Sequence, residues 1–117
     1  MHIAKVKEII DDNGVRYWIG ADAKNNWEIL TLAKKQPGSG DWLWFHLDGF
    51  SSAYVIICAS ANTISKVMIG RAADLCKSHS KYRDIPKIGV IYTELKHVKK
   101  TQKTGQVITH KTRKTIV

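Results

Sequence analysis

The sequence predicts a single α+β domain spanning residues 1–117, with a mainly antiparallel sheet, one long amphipathic helix and one short helix. Three observations carry this. Strand-like runs and turn signals alternate along the chain. Apolar residues recur at three- and four-residue intervals between Ile64 and Cys76. The 117 residues, 44 % hydrophobic and 25 % charged, suffice for one core and argue against wholesale disorder.

His2 to Ile10 and Val15 to Gly20 read as two strands joined at Asp12-Asn13-Gly14. Asn-Gly is the strongest short hairpin signal, because both central positions of a type I′ turn need positive φ. Asn25 or Asn26 is then placed to cap a short helix with Trp27, Leu30 and Ala33 or Lys34 on one face. Gln36-Pro37-Gly38-Ser39-Gly40 ends it in a loop. Trp42 to Leu47 forms a strand with Leu43, Phe45 and Leu47 on one side and Trp42, Trp44 and His46 on the other, since side chains alternate along a strand. After the turn Asp48-Gly49-Phe50-Ser51 comes a strand from Ala53 to Ala59, apolar on both faces and therefore central.

Asn62 or Thr63 caps the long helix, Ile64 to Tyr82. Its buried stripe is Ile64, Val67, Met68, Ala72, Leu75 and Cys76. Gly70 costs about 1 kcal/mol relative to Ala inside a helix, which marks it as a close packing contact. Ile85-Pro86 stops the helix, Ile88 to Thr93 is a strand, and Gln106–Thr109 and Thr115–Val117 are short later strands.

Charge separates the two parts of the chain. Residues 1–76 carry eight Lys/Arg and eight Asp/Glu, whereas residues 77–117 carry eleven Lys/Arg against two acids, so the whole formal +9 lies in the last third. Such asymmetry points to a polyanionic partner, nucleic acid first and an anionic membrane surface second. No apolar run approaches the roughly 20 residues of a membrane helix, and the N-terminus lacks the apolar core of a signal peptide. A cytoplasmic protein is expected, with Cys58 and Cys76 as buried free thiols.

Asp41, His46, Asp48 and Ser51-Ser52 are close in sequence, but no Gly-x-Ser-x-Gly elbow accompanies them. Cys58, Cys76, His79 and His46 form no paired Cys-x-x-Cys pattern, and Gly38-Ser39-Gly40 lacks the Lys of a phosphate-binding loop. No catalytic residue, metal or cofactor is expected. Nucleic acid is better supported: with even register, Trp44, His46 and Tyr54 share one sheet face, where rings can stack on unpaired bases, while Lys96, Lys99, Lys100 and Lys103 hold phosphates. The alternative is that Trp42 and Trp44 pack under a helix as core.

Asp41-x-x-Trp44-Phe45-His46, Ser51-Ser52-Ala53-Tyr54-Val55-Ile56-Ile57, Ala72-Ala73-x-Leu75, Ser80-Lys81-x-Arg83, Val90-x-Tyr92-Thr93, Val98-Lys99-Lys100 and Gly105-x-Val107 occur in the order of the NFACT-R domain, which the chain resembles over nearly its whole length. Gly20-x-x-Ala23-x-Asn25-Asn26 loosely matches the family's opening. The resemblance implies a non-catalytic RNA-binding module that contacts tRNA or ribosomal RNA. Most such domains sit inside larger proteins of ribosome-associated quality control, which bind large ribosomal subunits. The chain carries neither the N-terminal domain nor the coiled coil of those proteins, so tailing of nascent chains is not expected of it.

On this reading Asp41, Trp44, His46, Ser52 and Tyr54 shape an exposed recognition edge, and Lys81, Arg83, Lys96, Lys99, Lys100 and Lys103 supply phosphate contacts. Asp41 orients His46 or a loop amide, because a carboxylate repels phosphate. The family often has Ser-His-Val where this chain has Ala53-Tyr54-Val55. Tyrosine keeps a ring and a donor but does not titrate near pH 7. Three rivals stand beside this reading: a protein-interaction adaptor docking through Trp44, His46 and Tyr54, a nuclease or hydrolase using His46, and a binder of duplex DNA.

Overall fold

In the computed structural model, which describes residues 6–117, the chain runs β1 (Lys7–Ile10), β2 (Arg16–Ile19), α1 (Ala23–Lys34), β3 (Leu43–Leu47), β4 (Val55–Ile57), α2 (Lys66–Ser78), β5 (Gly89–Glu94), β6 (Val98–Lys100), β7 (Val107–Thr109) and β8 (Arg113–Ile116). Six strands make one antiparallel sheet in the order β1-β2-β4-β3-β5-β8, and β6 and β7 pair as a separate hairpin. The start of the strand expected from His2 lies outside the described residues. β2 and β3 flank β4 and run parallel, with α1 as their crossover. β4 and β5 flank β3 in the same way, with α2 between them.

The two crossovers cover opposite faces. Tyr17, Phe45, Val55 and Ile57 pack with Ala72, Ala73 and Cys76 of α2. Trp18, Trp44, Tyr54 and Ile56 pack with Ile29, Leu30 and Ala33 of α1 and with Leu95 and Val98 from the basic final third. Each large side chain so buried is worth about 1.5–3 kcal/mol. The aromatic face is therefore core: Trp44 and Tyr54 are each only 1 % exposed. This corrects the exposed stacking edge expected from alternation, since the second face has a cover of its own. The pairing itself matches expectation, with Trp44 opposite Ile56, which places Tyr54 on the face of Trp44.

Several local details differ from the sequence reading. The β1–β2 hairpin forms, but only Gly14 has positive φ, at 81°, so the turn is not type I′. Asp11 Oδ1 accepts from the backbone N–H of Asn13 and Val15 at 2.9 and 3.0 Å and rigidifies the loop instead. Asp22, not Asn25 or Asn26, caps α1, accepting from Asn25 N–H at 2.8 Å. Ser65 caps α2, so the helix begins later than expected. It ends at Ser78 because Ser78 and Ser80 hydroxyls bond the carbonyls of Leu75 and Lys77 and compete with a further turn. At 13 residues it barely exceeds the 12 of α1, so there is no single long helix. Val67 is 72 % exposed, and Ala72, Ala73 and Cys76 form the stripe that is buried. β6 is a strand that the sequence pattern does not predict.

Two glycines separate cleanly. A methyl group added at Gly70 meets nothing within 4 Å, so this glycine is not a packing contact. At Gly20 a Cβ would lie 1.8 Å from Asn26 Oδ1. That oxygen accepts from Tyr54 N–H at 3.0 Å while Asn26 Nδ2 donates to the Ser52 carbonyl at 3.2 Å. Gly70→Ala is expected to stabilise the domain by about 0.5–1 kcal/mol. Gly20→Ala is expected to cost about 1–3 kcal/mol for each buried bond it breaks. Urea titration of both variants checks the pair, and equal effects would contradict the Asn26 contact.

Candidate nucleic-acid interface

The two covers of the aromatic face do not close completely, and a cleft of about 840 Å³ remains. Trp44 and His46 of β3, Ile91 of β5 and Tyr54, just before β4, lie on its floor. Its walls are the start of α1, the loop 49–53, the segment 79–82 after α2 and the β6–β7 turn at 103–107. Lys81 and Lys103 line it from two of these walls and are both exposed.

The floor is a ring cluster. Trp44 and His46, two apart on one strand face, lie parallel, 5.8 Å between centroids and 1° between planes. Tyr54 meets both edge-on, at 5.2 Å from Trp44 and 5.7 Å from His46. Tyr54 Oη donates to the Gly105 carbonyl at 2.5 Å and so fastens the hairpin turn to the sheet. Gly105, at φ 87°, sits against Ala23, where a Cβ would approach within 2.6 Å. Burial pushes the Tyr54 hydroxyl up to about 12, so it remains a donor.

His46 is half-buried, and its Nδ1–H donates to the Leu47 carbonyl at 2.7 Å. A carbonyl only accepts, so the proton sits on Nδ1 and the lone pair on Nε2. Desolvation by burial holds the imidazole below its ordinary 6.5, against the opposing pull of the Leu47 bond. The floor is thus uncharged near neutral pH. The Trp44 indole N–H is buried and has no hydrogen-bond partner among the described residues, a situation that costs about 1–3 kcal/mol.

The other expected residues fall in different places. Ser52 lines the cleft, but its hydroxyl is engaged: it accepts from Leu47 N–H and donates to the Ala53 carbonyl, both at 3.1 Å. Asp41 does not orient His46. It pairs with Lys96 at 3.2 Å, and Lys96 also reaches Glu94 at 3.1 Å, so Lys96 is a neutralised cation away from the cleft. Arg83 donates to the Ser80 carbonyl at 3.3 Å and is not among the cleft's lining residues.

Lys99 and Lys100 stand exposed on β6, whose Val98 points into the core. Sequence reasoning missed their neighbours on α1. Lys34 donates to the Val98 carbonyl, and Lys100 donates to Thr31 Oγ1 with its ammonium 5.1 Å from the Trp27 ring centroid. Trp27 Nε1 donates to the Gln106 carbonyl at 3.3 Å. Desolvation, followed by repulsion from Lys99 and Lys100, lowers the Lys34 pKa. Lys34, Lys99 and Lys100 thus gather positive charge at one place on the surface. The spacing of Trp27 and Lys34 along α1 hinted at one face, but only the hairpin's position makes it basic.

Cys76 packs on the α2 face and Cys58 on the other, so the two cysteines are not brought together. Burial raises both thiols, Cys58 to about 12. Among the described residues no group of three or more His, Cys, Asp and Glu is placed to hold a metal, and no helix is long and apolar enough to cross a membrane.

An α+β domain with a ring-floored cleft beside a lysine cluster is the frame of a nucleic-acid-binding module. The chain belongs to the NFACT RNA-binding domain family, whose model, described as "NFACT protein RNA binding domain", matches residues 5–111. This is an RNA-binding family rather than a catalytic one. No curated protein matches the sequence. Among solved structures the chain is similar to the C-terminal part of the fibronectin/fibrinogen-binding protein from Streptococcus suis, at 23 % identity and a TM-score of 0.84. The match covers 100 % of this chain and 46 % of that one, and at this identity it shows the shared fold.

The depressed His46 pKa gives a pH prediction. The unfolded imidazole takes a proton below about 6.5 and the folded one resists it, so stability is full above that value and declines as pH falls through it. The urea midpoint is expected to drop between about pH 7.5 and about pH 5.5, on either side of the ordinary histidine range. His46→Gln should shrink that drop, and an unchanged drop would assign it to other groups.

Proposed function

We propose that this domain is a non-catalytic module that binds structured RNA, tRNA or ribosomal RNA, in ribosome-associated or translation quality control in the cytoplasm. The observation that carries the reading is the cluster of Lys34, Lys99 and Lys100 in a domain of an RNA-binding family. Lysine clusters hold phosphates and release condensed counterions. Lys81 and Lys103 at the cleft, and Arg83 beyond it, extend the phosphate track. Lys96 contributes least, because Asp41 and Glu94 already neutralise it. Trp44, His46, Ser52 and Tyr54 act through the shape of the cleft rather than as an open stacking surface. The large ribosomal subunit is the natural setting for such a module.

The adaptor alternative loses its main support, since Trp44 and Tyr54 offer almost no surface for docking. The test is fluorescence anisotropy against tRNA, a single-stranded RNA and duplex DNA over a series of salt concentrations. A preference for tRNA that survives near-physiological salt supports the reading. Equal, salt-erased binding to all three reduces it to generic electrostatics. Lys99→Glu combined with Lys100→Glu is expected to flatten the log–log salt dependence by roughly 0.7–0.9 for each lost phosphate contact. An unchanged slope would remove β6 from the interface.

A further inference from the structure

The cleft has an unused acceptor on its aromatic floor and, beneath that floor, a buried donor without a partner, and we propose that it holds a single unpaired RNA base, read by its hydrogen-bonding edge. This rests on the RNA-binding reading above. The donor is the Trp44 indole N–H, buried and without a partner among the described residues. The acceptor is His46 Nε2, left with the lone pair because Nδ1 donates to the Leu47 carbonyl at 2.7 Å. A neutral planar heterocycle that carries both an acceptor and a donor on its edge has the chemistry to meet these two groups, and nucleobase edges are built that way. A phosphate does not: the floor has no cation, and Lys81 and Lys103 stand on the walls. That separation suits a nucleotide, base inward and backbone at the lysines. A volume of about 840 Å³ admits one.

The Trp44 N–H is closed to solvent in the unliganded cleft, so the base enters with a shift of the wall. The wall that has to move is the β6–β7 turn, which Val107 packs onto the core and Gly105 seats against Ala23. Two side-chain hydrogen bonds fasten it to the rest of the described fold, Tyr54 Oη to Gly105 and Trp27 Nε1 to Gln106. A bound base replaces the missing partner of Trp44 and stays between the rings and the turn. Such a pocket accepts a base splayed out of a loop and rejects one held in a duplex.

The experiment follows the four indole N–H signals of the ¹⁵N-labelled full chain, the Trp44 signal being assigned with Trp44→Phe. The titrants are the four nucleoside monophosphates, ribose 5-phosphate, and a short unpaired oligoribonucleotide with or without one abasic site. The Trp44 signal is expected to move downfield and saturate with at least one nucleotide and with the intact oligonucleotide, and to stay put with ribose 5-phosphate. Removing the read base is expected to weaken oligonucleotide binding about tenfold, the equivalent of one good base contact. A Trp44 signal unmoved by every nucleotide and by an oligonucleotide that binds would overturn the base pocket while leaving the basic surface intact. Failure of any RNA to bind would instead overturn the RNA-binding reading itself. The titration uses the wild-type chain, so a poorly folded Trp44→Phe affects only the assignment, which Trp18→Phe, Trp27→Phe and Trp42→Phe supply by elimination.

Discussion

β3 and β4 are apolar on both faces, and neither face can be left in water. From that constraint the rest of the architecture follows. One crossover helix shields Phe45, Val55 and Ile57; the other shields only part of the face carrying Trp44, Tyr54 and Ile56. α1 does not cover that face alone. The remainder is sealed by Leu95 and Val98, from a stretch of chain whose charge otherwise marks it as a solvent-facing tail. The basic third is thus structural on its inner side and electrostatic on its outer side. Strand alternation in β6 performs the division, with Val98 inward and Lys99 outward.

Because two separate pieces share the second cover, a seam runs between them, and the cleft is that seam. Polar contacts tie two of its edges together. Asn26 ties α1 to the backbone of Ser52 and Tyr54, in a space that exists because residue 20 has no side chain. Tyr54 in turn ties the hairpin turn through the Gly105 carbonyl. The Tyr54 hydroxyl spans floor to turn and stays protonated throughout the physiological range, which leaves His46 as the ionisable ring of the floor.

The strands other than β6, their central pair and the even register of Trp44 with Tyr54 were legible in the sequence, because period-two alternation and apolar runs report burial directly. The helix limits were less so. Asp22 and Ser65 cap as well as the asparagines and threonine nearby, and sequence alone does not rank them. The exposed aromatic edge failed for a different reason. Alternation shows that two faces differ, but it does not show whether the second is covered, and the cover comes from Leu95 and Val98, far along the chain. Of the candidate site, Trp44, His46, Ser52, Tyr54, Lys81 and Lys103 do meet at one cleft. Trp27 and Lys34 were missed because their partners on β6 become neighbours only through the hairpin. Asp41 and Lys96 read as separate contributors, yet each spends its charge on the other.

The lysine cluster lies where the fold is completed. Lys34 is depressed in pKa by desolvation and then by Lys99 and Lys100. It meets β6 at the contact between α1 and that strand, which is the same contact that completes the cover over Trp44 and Tyr54. A polyanion laid across the three ammonium groups removes the repulsion and stabilises the folded state by mass action in addition. Simple salt relieves the repulsion by screening but supplies no binding term. The effect of such a ligand sits at the contact between α1 and β6. Here the location is set by geometry, because the strand that buries Val98 in the cover over Trp44 and Tyr54 also carries Lys99 and Lys100 beside Lys34.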